Sequence, residues 1–314
     1  MTAYVGRFAP SPSGLLHAGS LVAALASWLD ARANEGRWLV RIEDLDGPRN
    51  VAGAAEAILD ALARCGLVAD AVPVLQSART GLYEQALERL KASGRAYPCG
   101  CSRRDLELAA APESGRARHA ERVYPGTCRS GLNGKAARSF RLRTDRADSG
   151  AASGRSEPIV WIDRRLGPRV EELAASVGDF VLRRADGVWA YQLAVVVDDA
   201  AMGITEVVRG DDLVPSTPRQ LLLYRALGWQ APRFAHVPLV VGPDGRRLAK
   251  RHGDTRLATL REAGTKAESL LGLLAWSCGW LPKPEPVTSR ELLPLFRLES
   301  IPREPFVFTN LEFS

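Results

Sequence analysis

The feature that most constrains how this chain can fold is an alternation of short apolar stretches with longer segments of helical periodicity through its first ninety or so residues. Tyr4 to Phe8, Trp38 to Ile42 and Val72 to Leu75 have the length and composition of strands. Between them, the apolar series Leu21, Val22, Leu25, Trp28 and Leu29, the segment Val51 to Arg64 before Gly66, and Gly81 to Ala92 before Gly94 have helical spacing. Parallel strands need crossovers, and helices supply them, so the expected class is α/β with a mainly parallel, doubly wound sheet. The character changes at Tyr97-Pro98-Cys99-Gly100-Cys101, after which the chain is rich in Gly, Arg, Ser and Ala to about Arg165 and reads as an insertion. From Asp179 the sheet is expected to resume. Phe180 to Arg183 and Val188 to Leu193 form a hairpin about Ala185-Asp186-Gly187, followed by a strand at Glu206 to Val208 and a helix from Thr217 to Leu227 with Pro218 in its first turn. A helix at Leu260 to Trp280 and Pro-rich connections close the chain. The expected organisation is 1–96 and 179–235 as two halves of a core, 97–178 as the insertion, and 236–314 as a basic loop and a small C-terminal helical region.

Chemistry concentrates where the first strand meets the first helix. In Arg7 to Ser20, Pro10, Pro12 and Gly14 break regular structure, so His17 and Gly19 fall at a helix start. Helix N-termini favour anions, and a glycine there lets backbone approach a phosphate. Glu43-Asp44-Leu45-Asp46 follows the second strand at the end that faces the ligand crevice of an open α/β sheet. Its carboxylates suit a substrate ammonium, magnesium, or simply a solvated turn. Downstream, Leu239 to Arg251 reads as a strand, a Gly-rich turn and a basic loop in which Lys250 is a point charge able to reach a phosphate.

The 314 residues contain five cysteines, an odd number. No basic-then-apolar leader opens the sequence and no apolar run approaches the roughly 20 residues of a membrane span, so a cytoplasmic protein without structural disulfides is expected. Cys65 and Cys278 sit alone in apolar helical contexts and read as core residues. Cys99, Cys101 and Cys128 supply three thiolates, and zinc takes a fourth ligand; His119 and Tyr124 are the candidates, with general chemistry favouring the imidazole. The net charge of +6 is local: residues 103–146 hold 11 Lys/Arg against 5 Asp/Glu, a surface that suits a polyanion such as RNA.

Taken together, Pro10-Ser-Pro-Ser-Gly-Leu-Leu-His17-Ala-Gly19-Ser20, Arg41-Ile-Glu43-Asp-Leu-Asp46, Tyr191-Gln-Leu-Ala-Val-Val-Val-Asp-Asp199, Val208-Arg-Gly-Asp-Asp212 and Arg247-Leu-Ala-Lys250-Arg251 resemble the class I glutamyl-tRNA synthetases. The resemblance runs over roughly residues 4 to 251. It implies a Rossmann-like catalytic core that makes an aminoacyl adenylate from ATP and L-glutamate, with magnesium accompanying ATP. Within it, His17 and Gly19 correspond to the His-Ile-Gly-His signature, and Arg247, Leu248, Ala249, Lys250 and Arg251 to the Lys-Met-Ser-Lys-Ser signature. Ser20 stands at the second histidine, Arg247 at the first lysine, Ala249 at the first serine and Arg251 at the last serine. Only 64 residues follow Lys250, which resembles a shorter branch of the family that attaches glutamate to the queuosine base of tRNA(Asp). The other arrangement is a minimal synthetase that charges the tRNA 3′ end. In the shorter branch a Cys-x-Cys, Tyr, Cys set binds one structural zinc, which puts Cys99, Cys101, Tyr124 and Cys128 on the metal in place of His119.

The resemblance further implies site roles. His17 and Lys250 are the expected catalytic groups and, with Gly19, the ATP contacts. Glutamate is expected against Arg7, Phe8, Ala9, Pro10, Ser11, Glu43, Tyr191 and Arg209: the two guanidiniums for its carboxylates, Glu43 for its ammonium, Ser11 and Tyr191 for hydrogen bonds. Asp198, Asp199, Asp211 and Asp212 are expected to orient these groups without touching substrate. The anticipated partner is queuosine-containing tRNA(Asp), and a monomer is expected.

Overall fold

The computed structural model describes residues 3–109, 123–145, 157–242 and 264–307. His119 and the basic loop Arg247 to Arg251 lie outside these residues. In chain order the elements are β1 (Val5–Phe8), α1 (Ala18–Ala33), β2 (Arg37–Ile42), α2 (Ala54–Arg64), β3 (Val74–Leu75), α3 (Thr80–Ala92), β4 (Ala96–Cys99), α4 (Arg103–Ala109), β5 (Ser139–Leu142), β6 (Ile159–Asp163), β7 (Gly167–Glu171), α5 (Leu173–Ser176), β8 (Val181–Arg183), α6 (Tyr191–Ala201), β9 (Glu206–Gly210), α7 (Thr217–Leu227), β10 (Arg233–Val237), β11 (Val240–Val241) and α8 (Ala267–Ser277).

Seven strands form the central sheet in the order β3-β2-β1-β9-β10-β6-β7. Every pairing in it is parallel except β6 with β7. Because side chains alternate along a strand, each face collects its own set. Trp38, Val40, Ile42 and Val208 face one layer built from α1, α2 and α8, whereas Leu39, Val207 and Phe234 face the other, towards α3, α6 and α7. Leu21, Leu25 and Leu29 of α1 are fully buried on the first layer. Burial of each contributes about 1.5–3 kcal/mol, which is the main force holding α1 across the sheet. From β1 the chain moves outward to β2 and β3, and from β9 it moves the opposite way to β10. The strand order therefore reverses between β1 and β9, and the crevice of a doubly wound sheet opens there, at the C-terminal ends of those strands. The expected α/β class is the observed one.

Three departures from the sequence reading matter for the site. The residues from Tyr191 onward form helix α6, not the second strand of a hairpin. The run Leu193-Ala-Val-Val-Val197 is buried in the layer between the sheet and α7, and full burial removes the alternation that distinguishes helix from strand. Strands β6 and β7, within the segment read as insertion, extend the central sheet beside β10. Conversely, β8 pairs with β5 in a separate antiparallel sheet of order β4-β5-β8. No described helix is long and apolar enough to cross a membrane.

Candidate active site

Parallel register places four polar side chains on one face of the sheet. Arg7 of β1 sits beside Leu39, Arg41 of β2 lies two residues further along that same face, and Arg209 of β9 is directly beside His236 of β10. All four are buried, with exposures of 4% or less. Helix α6 supplies the counter-charge from above. Asp199 accepts from Arg7 Nε and Nη2, both at 3.3 Å, and from Arg41 Nη1 at 2.6 Å. Arg41 also donates to Glu43 at 3.1 Å. Burial alone would lower the pKa of Arg41, but Asp199, Glu43 and Asp198 hold it firmly protonated. Burial would raise Asp199, yet Arg7 and Arg41 keep it below the usual carboxylate range. Glu43 goes the other way: desolvation outweighs its arginine neighbours and raises it.

Asp198, one residue along α6, is taken up by Arg79 Nε at 2.6 Å, Gln76 Nε2 at 2.7 Å and the Tyr83 hydroxyl at 2.8 Å. Asp44 caps the turn at Ser77, and Asp46 pairs with Arg49 and Arg184. The acidic run after β2 therefore leaves Glu43 as its one carboxylate in the crevice. Glu43 Oε1 is bonded to Arg41, while Oε2 has no hydrogen-bond partner among the described residues.

Arg209 differs from the other arginines. Its Nε donates to His236 Nε2 at 3.0 Å, Nη1 to Gln220 Oε1 at 2.9 Å, and Nη2 to Thr217 Oγ1 at 2.9 Å and to the Leu213 carbonyl at 3.2 Å. Every acceptor is neutral. Among the described residues no carboxylate lies within ion-pair distance of this buried cation, and burial lowers its pKa. Arg209 lies near Arg7, Asp199, Glu43 and the neutral phenol of Tyr191, whose pKa burial and Glu43 raise, so these side chains share one polar enclosure. Tyr191, at 37% exposure and first in α6, lies at its mouth.

The loop from Ala9 to Leu16 forms the enclosure's rim, pinned where Glu43 N donates to the Pro10 carbonyl and Val51 N to the Pro12 carbonyl, both at 2.9 Å. Phe8 is buried, whereas Ser11 is exposed. His17 is the N-cap of α1: Nδ1 accepts from Ser20 N at 3.2 Å, which leaves Nε2–H to donate to Ser20 Oγ at 3.1 Å. A Cβ on Gly19 would lie 3.3 Å from His17 Nδ1 and 3.6 Å from Val240 of β11, so glycine keeps the helix start close to both. The chain thus runs along β11 past the N-terminus of α1 just before the described residues end at Gly242. A cavity of about 1450 Å³ lined by Tyr4, Arg89, Glu206, Trp229 and Arg233 opens at the opposite, N-terminal ends of the strands. None of the polar cluster lines it, so charge arrangement rather than volume marks the candidate site.

A second constellation closes the three-stranded sheet. The Tyr124 hydroxyl is 3.4 Å from Cys99 Sγ and 3.6 Å from Cys101 Sγ, and the Cys101 and Cys128 sulfurs are 3.6 Å apart. The three sulfurs lie within 4.8 Å of one another. Tetrahedral zinc with sulfur at about 2.3 Å holds its ligand atoms roughly 3.5–3.8 Å apart, so three thiols and a phenol oxygen in this arrangement fit that ion. Burial would raise the Cys99 thiol, but hydrogen bonding to Tyr124 and Arg141 brings it down to about 7. Gly178, at φ +68°, makes the close approach that fixes the fourth group: a Cβ there would lie 2.3 Å from the Tyr124 carbonyl oxygen.

A family model described as tRNA synthetases class I (E and Q), catalytic domain, matches residues 4–296. The chain belongs to this family. It is therefore a ligase of the aminoacyl-tRNA synthetase type. A relative in Albidiferax ferrireducens named Glutamyl-Q tRNA(Asp) synthetase is 55% identical over 289 residues, covering 87% of this chain and 94% of that one. A relative of the same name in Leptothrix cholodnii is 54% identical over 300 residues, covering 88% and 98%. The crystal structure of a glutamate-tRNA synthetase from Elizabethkingia anophelis matches with a TM-score of 0.81 at 29% identity, covering 98% of this chain and 68% of that chain. For this class I synthetase the sequence reading gave Arg41 a place in a motif but no role, and missed Asp163, Gln220 and His236. A signal for most of them was present: charged or imidazole side chains inside strands that are apolar on both faces have no solvent to face, so they must face each other or a ligand.

Proposed function

We propose that this synthetase activates L-glutamate with ATP to glutamyl adenylate without tRNA, then transfers the glutamyl group to the queuosine base of tRNA(Asp). The observation that supports the first half is that, among the described residues, a buried Arg209 has no carboxylate within ion-pair distance while Glu43 keeps one oxygen free. Around the crevice, among the described residues, four guanidiniums, Arg7, Arg41, Arg79 and Arg209, stand against three carboxylates, Glu43, Asp198 and Asp199, a surplus of one positive charge. A free glutamate carries two carboxylates and one ammonium, so its net charge of about −1 balances that surplus. Its ammonium suits Glu43, a carboxylate suits Arg209, and the other suits the Nη1 edge of Arg7, which Asp199 leaves open. Arg7 is largely committed to Asp199, so Arg209 is the principal carboxylate anchor.

In the chemical step an oxygen of the α-carboxylate bonds to the α-phosphorus of ATP and pyrophosphate leaves. The protein's part is positioning and charge stabilisation. His17 and the start of α1 serve the α-phosphate, and Lys250 the departing phosphates; magnesium arrives with ATP as part of the substrate. Zinc, held by Cys99, Cys101, Tyr124 and Cys128, would brace the three-stranded sheet. The names and the 54–55% identity of the relatives support the acceptor assignment. Arg209→Ala tests the amino-acid site. In glutamate-dependent ATP–pyrophosphate exchange the KM for glutamate should rise about thirtyfold or more. An unchanged KM removes Arg209 from the glutamate site.

A further inference from the structure

Arg209 can present its charge to a substrate only if its guanidinium is held in one orientation, and the device that holds it reaches to the edge of the sheet. His236 accepts from Arg209 Nε through Nε2, so its proton sits on Nδ1, and Nδ1 lies 2.5 Å from Asp163 Oδ2. Thr217 Oγ1, 3.2 Å from His236 Nε2, also bonds Arg209, and closes the enclosure from α7. Both ends of the imidazole are thereby specified. Asp163 fixes the tautomer, and the tautomer makes Nε2 the acceptor that Arg209 requires. The other oxygen of Asp163 shapes the backbone instead. Oδ1 accepts from Arg165 N at 3.0 Å and Leu166 N at 2.9 Å, which forms the turn between β6 and β7. His236 and Asp163 are both fully or almost fully buried, at 0% and 1% exposure.

We infer that Asp163 and His236 are positioning residues for glutamate recognition, acting through Arg209. This deepens the proposed function and rests on its assignment of Arg209 to a substrate carboxylate. The chain carries no proton in the reaction. It sets an orientation, so a fault in it is felt in glutamate affinity first, and ATP affinity is affected less.

The two oxygens of Asp163 make the test selective. Asp163→Asn keeps Oδ1 for the turn but presents an amide N–H to His236 Nδ1. The ring then accepts at Nδ1 and carries its proton on Nε2, donor against donor with Arg209. At position 236, a glutamine places an amide oxygen near the site of Nε2 and can still accept from Arg209. An asparagine reaches only as far as Nδ1, so it can keep Asp163 company but gives Arg209 nothing. Glutamate binding to the full chain is measured by calorimetry alongside pyrophosphate exchange, with thermal melting as a check that each variant is folded. Asp163→Asn and His236→Asn should weaken glutamate binding about tenfold, with a smaller change in the KM for ATP, and His236→Gln should stay within about threefold of the parent. Nitrogen-labelled histidine spectra should show one ring in the neutral Nδ1–H form, lost in Asp163→Asn. Equal glutamate losses for His236→Asn and His236→Gln, or losses confined to ATP, would overturn the relay. Arg209→Ala separates the two levels. If it leaves glutamate binding intact, the site assignment itself fails; if it abolishes binding while the relay variants do not weaken it, only the relay fails.

Discussion

His236 shows how one buried residue couples stability to pH. Desolvation lowers its pKa from the ordinary value of 6.5, despite the opposing hydrogen bond to Asp163. In the unfolded chain the imidazole titrates near 6.5, so between that value and the depressed folded value the unfolded state binds a proton that the folded state does not. Stability therefore falls as pH drops through that window and is retained above it. Asp163, whose pKa is lowered by His236 and backbone N–H groups against the effect of burial, adds a loss in the same direction at more acid pH. Melting curves of the parent and His236→Gln between about pH 7.5 and 5 check this: the difference between them should shrink as the pH falls, and parallel curves contradict it. Glu43 makes a second residue-scale prediction. Its free oxygen is assigned to the substrate ammonium, so Glu43→Gln should raise the KM for glutamate by about tenfold or more in pyrophosphate exchange, and an unchanged KM would remove that assignment.

At the scale of elements, legibility in the sequence followed burial. Helix α3 starts one residue before Gly81, its exposed face preserving the 3.6-residue period, whereas the largely buried helix Thr217–Leu227 is where Pro218 in its first turn marks it. Helix α6 was not legible: Val188 to Leu193 reads as the second strand of a hairpin, and Leu193 to Val197, all buried, show no helical alternation. Asp199 nevertheless orients Arg7 as expected, and Arg41 with it, but from a helix rather than from beyond a hairpin. Arg7, Glu43, Tyr191 and Arg209 were legible because each lies in a short recognisable motif. Asp163 and His236 were not, because they meet only across the pairing of β6 with β10, 73 residues apart in sequence. The three-stranded sheet yields its own prediction. Gly178 has a positive φ and backs directly on Tyr124, so Gly178→Ala should displace the phenol and weaken metal retention. Metal analysis after dialysis against a mild chelator should find one zinc per parent chain and clearly less in Gly178→Ala and Cys99→Ser; parent-like zinc in both would detach this cluster from metal binding.

Across the whole molecule, the sheet brings the proposed amino-acid site at the β1–β9 crevice next to the α1 N-terminus, while the separate sheet packs Ala96, Leu142 and Leu182 into a core shared with α3, α6 and α7 and carries the thiol cluster. Within residues 103–146, Arg103, Arg104 and Arg138 are exposed whereas Arg129, Lys135 and Arg143 are ion-paired and Arg141 is buried, and we propose the exposed arginines as a contact for RNA. Its contribution should be salt-sensitive: raising salt should weaken transfer to tRNA far more than glutamate-dependent pyrophosphate exchange. On the proposed function, activation precedes and does not need tRNA, and the acceptor is the modified base. The most direct measurement follows labelled glutamate from the purified full chain and ATP onto tRNA(Asp) with queuosine, tRNA(Asp) without it, and tRNA(Glu), with pyrophosphate exchange run in the absence of any tRNA. The expected result is exchange without tRNA and label on queuosine-containing tRNA(Asp) alone. Label on tRNA(Glu), or equal label on both forms of tRNA(Asp), would contradict the account and point to charging of a tRNA 3′ end.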